Sequence, residues 1–236
     1  MDSGLYTTLT RQSGLMREMQ VVAHNIANIS TTGFRREGVI FSEYVKRMED
    51  APSLSMANGN ARHIDLRQAG LSQTGGAFDF AIQGEGFFLV ETPQGQSLTR
   101  AGAFTPNAEG ELANPDGYRL LDLGGAPIFV PPDAGQVALS SDGTLSAKGQ
   151  PLAQIGLWQP GDPLQMTHQG GTIFASETVV PAESGVILQG FVEESNVNPI
   201  SEIARMIEVQ RAYEMGQGFM EKEDERMRGV IQTLGR

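Results

Sequence analysis

A chain of 236 residues, 39% of them hydrophobic, can build a core in one or two domains, and its 29 glycines and 12 prolines point to a turn-rich middle. The formal net charge is −11, with 13 acids against 5 bases between residues 51 and 190, which excludes the basic footprint of a nucleic-acid binder. The lack of cysteine excludes disulfides, thiolate zinc sites and cysteine nucleophiles.

The first element is a helix expected over residues 2–28. Leu15, Met19, Val22, Ile26 and Ile29 step by four, three, four and three residues, Leu5 and Leu9 extend the stripe upstream, and Ser3 or Asp2 supplies a cap. Arg11, Arg17 and Glu18 interrupt it, so it does not read as a secretory leader. No stretch approaches the roughly 18 apolar residues that span a bilayer. No direct membrane insertion is expected, and if the protein leaves the cytoplasm it does so without a conventional leader. The helix ends in Asn25-Ile26-Ala27-Asn28-Ile29-Ser30-Thr31-Thr32-Gly33-Phe34. There Asn28 or Gly33 can adopt the left-handed conformation, and the Ser/Thr run competes for backbone hydrogen bonds.

Residues 35–50, with Val39, Phe41, Tyr44 and Val45, suit a short strand or extended arm. Residues 51–76 are poor in apolar periodicity and read as a linker with a short extended piece at Ile64-Asp65-Leu66. From Phe78 the period becomes two: Phe78, Phe80 and Ile82 alternate with polar or small residues, Gly84-Glu85-Gly86 turns, and Phe87-Phe88-Leu89-Val90 is a buried strand. Turns at Asn107–Gly110, Asn114–Gly117 and Ser141–Gly143, with strands at Ile128–Val130, Ala153–Leu157, Thr172–Phe174 and Val186–Leu188, make 78–190 an antiparallel β domain.

The last forty residues read as one long helix. Asn198 caps it, Pro199 takes the first helical position, and Glu202 complements the dipole in the first turn. Met206, Tyr213, Met220 and Met227 then recur every seven residues, with Ile203, Ile207, Val209, Val230, Ile231 and Leu234 beside them. A repeat this sustained is a coiled-coil seam that needs a partner, and the first helix offers one. The alternative is two separate amphipathic helices lying on a central domain. The fold class expected is α+β, a discontinuous coiled-coil-like helical domain from both termini around an inserted β domain. Its divisions are 1–34, 35–77, 78–190 and 191–236.

Motifs for chemistry are weak. Gly84-Glu85-Gly86 lacks the third glycine of a dinucleotide fingerprint, since position 89 is Leu89, and no phosphate-cradling or nucleophile-elbow run occurs. His24, His63 and His168 lack partners at ligand spacing, and Glu193-Glu194 and Glu223-Asp224-Glu225 read as solvated faces. No catalytic residue, cofactor or metal is expected. A different class, an acidic periplasmic enzyme or carbohydrate-binding β domain with helical extensions, is the competing functional reading.

Three spaced motifs carry a resemblance. Asn25-Ile26-Ala27-Asn28 with Thr31-Thr32-Gly33-Phe34 resembles the N-terminal motif of bacterial flagellar rod and hook proteins. Ser195-Asn196-Val197-Asn198-Pro199 with Met206-Ile207 and Gln210-Arg211-Ala212-Tyr213-Glu214 is similar to their C-terminal motif. Phe80 to Leu89, with Thr99-Arg100-Ala101-Gly102 and Phe104, resembles their shared β domain. His24 departs from the small polar residue more common there. The opening Met1-Asp2 through Leu5-Tyr6 and the short segment between Phe34 and Phe78 are similar to the proximal-rod type, with the distal-rod type as nearest alternative. The resemblance implies a subunit exported through the flagellar type III apparatus that polymerises in the periplasm with copies of itself and other rod subunits. It implies terminal helices forming an inner tube around the export channel and a β domain outside them. The assembly residues expected are Leu15, Met19, Val22, Asn25, Ile26, Asn28, Thr31, Gly33, Phe34, Asn196, Asn198, Pro199, Ile203, Met206, Gln210, Arg211, Tyr213 and Met220.

Overall fold

The computed structural model describes residues 3–46 and 54–234. Met1, Asp2 and Ala51–Ser53 lie outside them, as do the side chains of Ser3, Leu5, Tyr6, Phe41, Tyr44, Val45 and Leu234. The architecture is α+β. The described chain divides into a helical unit, from residues 1–27, 37–63 and 198–236, and a β unit, from residues 28–36 and 64–197.

The helical unit holds α1 (Ser3–Ala27), a two-stranded sheet of β1 (Glu37–Lys46) and β2 (Leu54–Ile64), and α2 (Pro199–Leu234). On α1 the buried positions Gln12, Leu15, Glu18, Val22 and Asn25 recur at steps of three and four, so one face of the helix is covered. On α2 the covered positions are the buried Glu202 and Val209 with the half-buried Met206, Tyr213, Gly216 and Met220, again at three and four. The two helices run antiparallel, since Gln12 meets Tyr213, Glu18 meets Arg205 and Asn25 meets Glu202. At 1.5 Å per residue the 36 residues of α2 extend about 54 Å and the 25 of α1 about 37 Å, so α2 outruns its partner. The stretch expected as a linker contains β2. Its sequence, Ala57-Asn58-Gly59-Asn60-Ala61-Arg62-His63 with little apolar alternation, gives no strand signal, and pairing with β1 supplies the order instead.

The β unit is built on a seven-stranded antiparallel sheet. Its order is Thr167–Gly170, Ile173–Ala175, Gly95–Thr99, Phe88–Thr92, Arg119–Leu120, Leu112–Ala113 and Thr105–Pro106. A three-stranded meander (Val137–Leu139, Thr144–Ala147, Gln150–Gln154) and three strand pairs complete it. The run Phe87–Val90 is apolar throughout because both its faces are covered. Phe88 and Val90 enter the main core with Phe80, Phe104, Leu120 and Ile128; Phe87 and Leu89 enter a second core with Leu98, Met166 and Phe174. Ile128–Val130, expected as a strand, makes an isolated bridge from Phe129 to Glu111, and Pro131-Pro132 directly after it cannot donate to a ladder. Among the described residues no helix is long and apolar enough to cross a membrane.

Candidate assembly interface

The helical unit joins its two helices through polar contacts as much as apolar ones. Leu15, Val22 and Val209 are buried, and Met19, Ile26, Met206, Tyr213 and Met220 are half-buried. Between them, Gln12 Nε2 donates to the Tyr213 carbonyl at 2.8 Å, and Arg205 Nε donates to Glu18 Oε1 at 2.6 Å. Asn25 is wholly buried. Its Nδ2 donates to Glu202 Oε2 at 3.1 Å and to the Glu37 carbonyl at 2.8 Å, while its Oδ1 accepts from Glu37 N at 2.9 Å. One amide thereby ties α1 to both α2 and β1. Glu202, expected to serve the helix dipole, is buried, and its partner Asn25 accounts for its presence there. Gly216 leaves room for the Gln12 side chain: a Cβ there would lie 2.4 Å from Gln12 Nε2.

The cap is as the sequence implies. Asn198 Oδ1 accepts from Ile200 N at 3.0 Å and from Ser201 N at 3.1 Å, and Pro199 opens the helix. Ile203 and Ile207, grouped with the seam from the sequence, face away from α1 and are exposed, together with Ile200 at 80%. They lie well around the helix from Glu202 and Val209, so the apolar residues of α2 form two faces and not one. Gln210 and Arg211 are exposed, and Gln210 Nε2 donates to Glu214 Oε1 one turn on. Met215, Phe219, Met227, Val230 and Ile231 on α2 and Leu9 and Met16 on α1 are exposed as well. The outer surface of the helix pair is thus rich in exposed apolar side chains.

The β unit brings the remaining expected residues together where its two connecting segments meet. Thr31 Oγ1 bonds Asn28 Oδ1 at 3.1 Å, and Gly33 N donates to the Glu193 carbonyl at 2.7 Å. Gly33 has φ +76°, and a Cβ would come within 2.2 Å of Ala101 N, so no other residue fits. Phe34 is buried and stacks on His168 at 5.4 Å. Asn196 bridges three segments: its Oδ1 accepts from Arg36 N at 2.7 Å, and its Nδ2 donates to the Asp65 and Arg67 carbonyls at 2.9 and 3.1 Å.

Glu193, expected on a solvated face, is the centre of this junction. It is fully buried and accepts from Arg35 Nη2 at 2.6 Å, Arg100 Nη1 at 3.1 Å and Ala69 N at 2.8 Å. Burial pushes the Arg100 guanidinium down to about 10 against the opposing pull of Glu193. Arg100 also donates to the Gly84 carbonyl at 2.8 Å and lies over the Phe87 ring at 5.1 Å. No local pattern marks Glu193, because its partners are distant in sequence. Glu194 is exposed, as expected of the pair.

Nothing in either constellation pairs a nucleophile with a base, and what both do is hold segments from the two ends of the chain in register. The class defined is a structural subunit with helical ends, an apolar outer helical face and an inserted antiparallel β unit. Three family profiles match in that order: "Flagella basal body rod protein" over residues 5–35, "Flagellar hook protein FlgE/F/G D1 domain" over 81–147, and "Flagellar basal body rod FlgEFG protein C-terminal" over 188–233. The chain is 39% identical to the flagellar basal-body rod protein FlgF of Mesorhizobium japonicum, over 100% of this chain and 99% of that one. It is 38% identical to FlgF of Caulobacter vibrioides, again over 100% and 99%. To the basal-body rod protein FlgG of Bacillus subtilis it is 28% identical, over 96% and 97%. The chain belongs to the flagellar basal-body rod protein family, with greater similarity to these FlgF proteins than to FlgG. It is a structural rod subunit of the flagellum, not an enzyme.

Proposed function

We propose that this chain is a proximal-rod subunit that passes the inner membrane through the flagellar export apparatus and polymerises in the periplasm, with copies of itself and with other rod subunits, into the shaft that transmits torque. The two helices act as a discontinuous coiled-coil-like domain whose outer face is covered by neighbouring subunits around the export channel. The observation that carries this reading is the exposed apolar surface of α2, Ile200, Ile203, Ile207, Met215 and Phe219, on a helix pair already closed on its other side. Such a surface gains burial only from another molecule, and a contact between two different faces builds an open filament. The proximal position is supported by the higher identity to FlgF proteins over the whole chain. The test is replacement of Ile203 and Ile207 by Asp in cells that depend on this gene for motility. Both side chains are exposed, so the monomer should fold, export should persist and rods should be lost. Normal motility with both charges present would remove the assembly role of this face.

A further inference from the structure

The turn Gly84-Glu85-Gly86, which lacks a full dinucleotide fingerprint, borders a pocket of about 230 Å³ inside the β unit. Phe87, Arg100 and Pro160 line its buried part, and Glu85, Gln159 and Pro163 stand at its rim. The volume lies below the roughly 300–1,000 Å³ of a site for a drug-sized ligand, so only a small molecule fits. Arg100 is 3% exposed. A guanidinium has five N–H groups, and here Nη1 donates to the Ile82 carbonyl at 3.4 Å and to Glu193 Oε2 at 3.1 Å, while Nη2 gives one to the Gly84 carbonyl at 2.8 Å. Nε has no acceptor, and Nη2 keeps a second N–H. Glu193 is the one carboxylate paired with both Arg35 and Arg100, which leaves a positive charge in excess behind this wall. The rim has the opposite character. Glu85 Oε2 accepts from Gln159 Nε2 at 3.0 Å, and Glu85 Oε1 and Gln159 Oε1 remain as acceptors with no donor among the described residues. Glu85 and Arg100 are close enough for their charges to interact but form no ion pair.

We propose that this pocket binds a free α-amino acid as its zwitterion, with the carboxylate toward Arg100, the ammonium toward Glu85 and an apolar side chain against Phe87, Pro160 and Pro163. A carboxylate only accepts hydrogen bonds and is the counterpart of a guanidinium edge; an ammonium only donates them and matches the carboxylate and amide oxygens of the rim. A simple anion would meet Glu85 at the entrance and a simple cation would meet Arg100 within, so each half of the site disfavours a ligand of single charge. The incoming carboxylate also supplies the second negative charge that the two buried guanidinium groups lack. This binding function lies beside assembly and does not depend on the rod reading.

Trp158, the only tryptophan, reports occupancy, since it exchanges backbone hydrogen bonds of 2.7 and 2.9 Å with Phe87, which lines the pocket. The purified full-length protein is titrated with L-valine, with isovalerate, which lacks only the ammonium group, and with isobutylamine, which lacks only the carboxylate. Tryptophan fluorescence and ligand-observed saturation-transfer NMR are read together. L-Valine should saturate with a Kd on the order of 1 mM, and both single-charge analogues should bind about tenfold more weakly or worse. Equal affinity for either analogue overturns the zwitterion assignment. Failure of L-valine, L-alanine and L-phenylalanine alike to saturate overturns the site. Arg100 also holds Glu193, so the variant used is Glu85→Gln, at an exposed position. It should weaken L-valine about tenfold and leave isovalerate no weaker. Undiminished L-valine affinity in Glu85→Gln places the ligand elsewhere and overturns the pocket as its site.

Discussion

Replacing Glu193 by Gln tests the junction of the β unit directly. The carboxylate is enclosed and accepts from two arginines and the Ala69 amide, at 2.6, 3.1 and 2.8 Å. The amide removes the only negative charge of the buried triad, turns an NH₂ toward a guanidinium and leaves Arg35 and Arg100 buried without a counter-charge. Breaking a buried pair from one side costs about 3–5 kcal/mol, a large share of the roughly 5–15 kcal/mol that holds a domain together. With a urea dependence of about 1–3 kcal/mol per molar, the unfolding midpoint should fall by about 2 M. The single tryptophan, Trp158, packs against the second core of this unit, so its fluorescence follows the unit that matters. Adding Arg35→Met to Glu193→Gln removes one uncompensated charge and should regain about 1–2 kcal/mol. Glu194→Gln, on the exposed neighbour, should stay within about 0.5 kcal/mol of the parent. A midpoint change for Glu193→Gln no larger than that for Glu194→Gln, or a double variant weaker than the single, would refute the argument that Glu193 compensates two buried cations.

Gly218→Ala, with open space at its Cβ, should raise the helix-pair melting temperature by the ordinary helix gain of about 0.5–1 kcal/mol, whereas Gly216→Ala should gain nothing or lose, since its Cβ displaces Gln12 from the Tyr213 carbonyl; far-UV circular dichroism separates the two. Asn198→Ala removes the acceptor for the Ile200 and Ser201 amides and should cost about 1 kcal/mol, read as roughly fivefold faster hydrogen exchange there, while Asn198→Asp keeps the cap. The Asp142 carboxylate, which accepts from the Thr144 amide at 3.0 Å and the Thr144 hydroxyl at 2.9 Å, titrates below the ordinary Asp value. Its contribution is present above that ordinary value and is lost as pH falls through the lower folded one; an NMR titration should show the lowered midpoint and its rise in Thr144→Val.

What the sequence disclosed and what it hid follow from the range of the interactions. Heptad steps and the Asn198-Pro199 start placed both helices within a few residues of their ends, at Ser3–Ala27 and Pro199–Leu234, because caps and periodicity are local properties. Period two and the glycine turns outlined the sheet for the same reason. The hairpin partner of β1 was hidden, since Leu54–Ile64 is ordered by pairing and not by its own composition. Ile203 and Ile207 join the seam only when apolar residues are grouped without regard to angle; at 100° per residue they stand about 120° and about 160° around the helix from Val209. Glu18, Gln12 and Glu202 fall on the three-and-four spacing, so their place in the seam was readable, but only if polar residues count as seam members. Glu193 had no local sign at all, and only the fold brings Arg35 and Arg100 to it.

The polar seam has a consequence for how such a subunit behaves. A helix pair closed only by leucines would be more stable and would accept several registers. Here each end and the middle carry a contact that fits one register: Gln12 under Gly216, Glu18 against Arg205, Asn25 between Glu202 and Glu37. Sliding the helices by one turn would leave Asn25, Glu202 and Gln12 buried without these partners, at about 1–3 kcal/mol each. The same groups contribute less stability than apolar contacts of the same size would, because burying a charge or amide carries a desolvation cost. Register is therefore specified within the chain, while Ile200, Ile203 and Ile207 stay exposed on its outer side. On the rod reading this division is useful: a subunit whose helices are already in register gains further stability when neighbours bind its folded form.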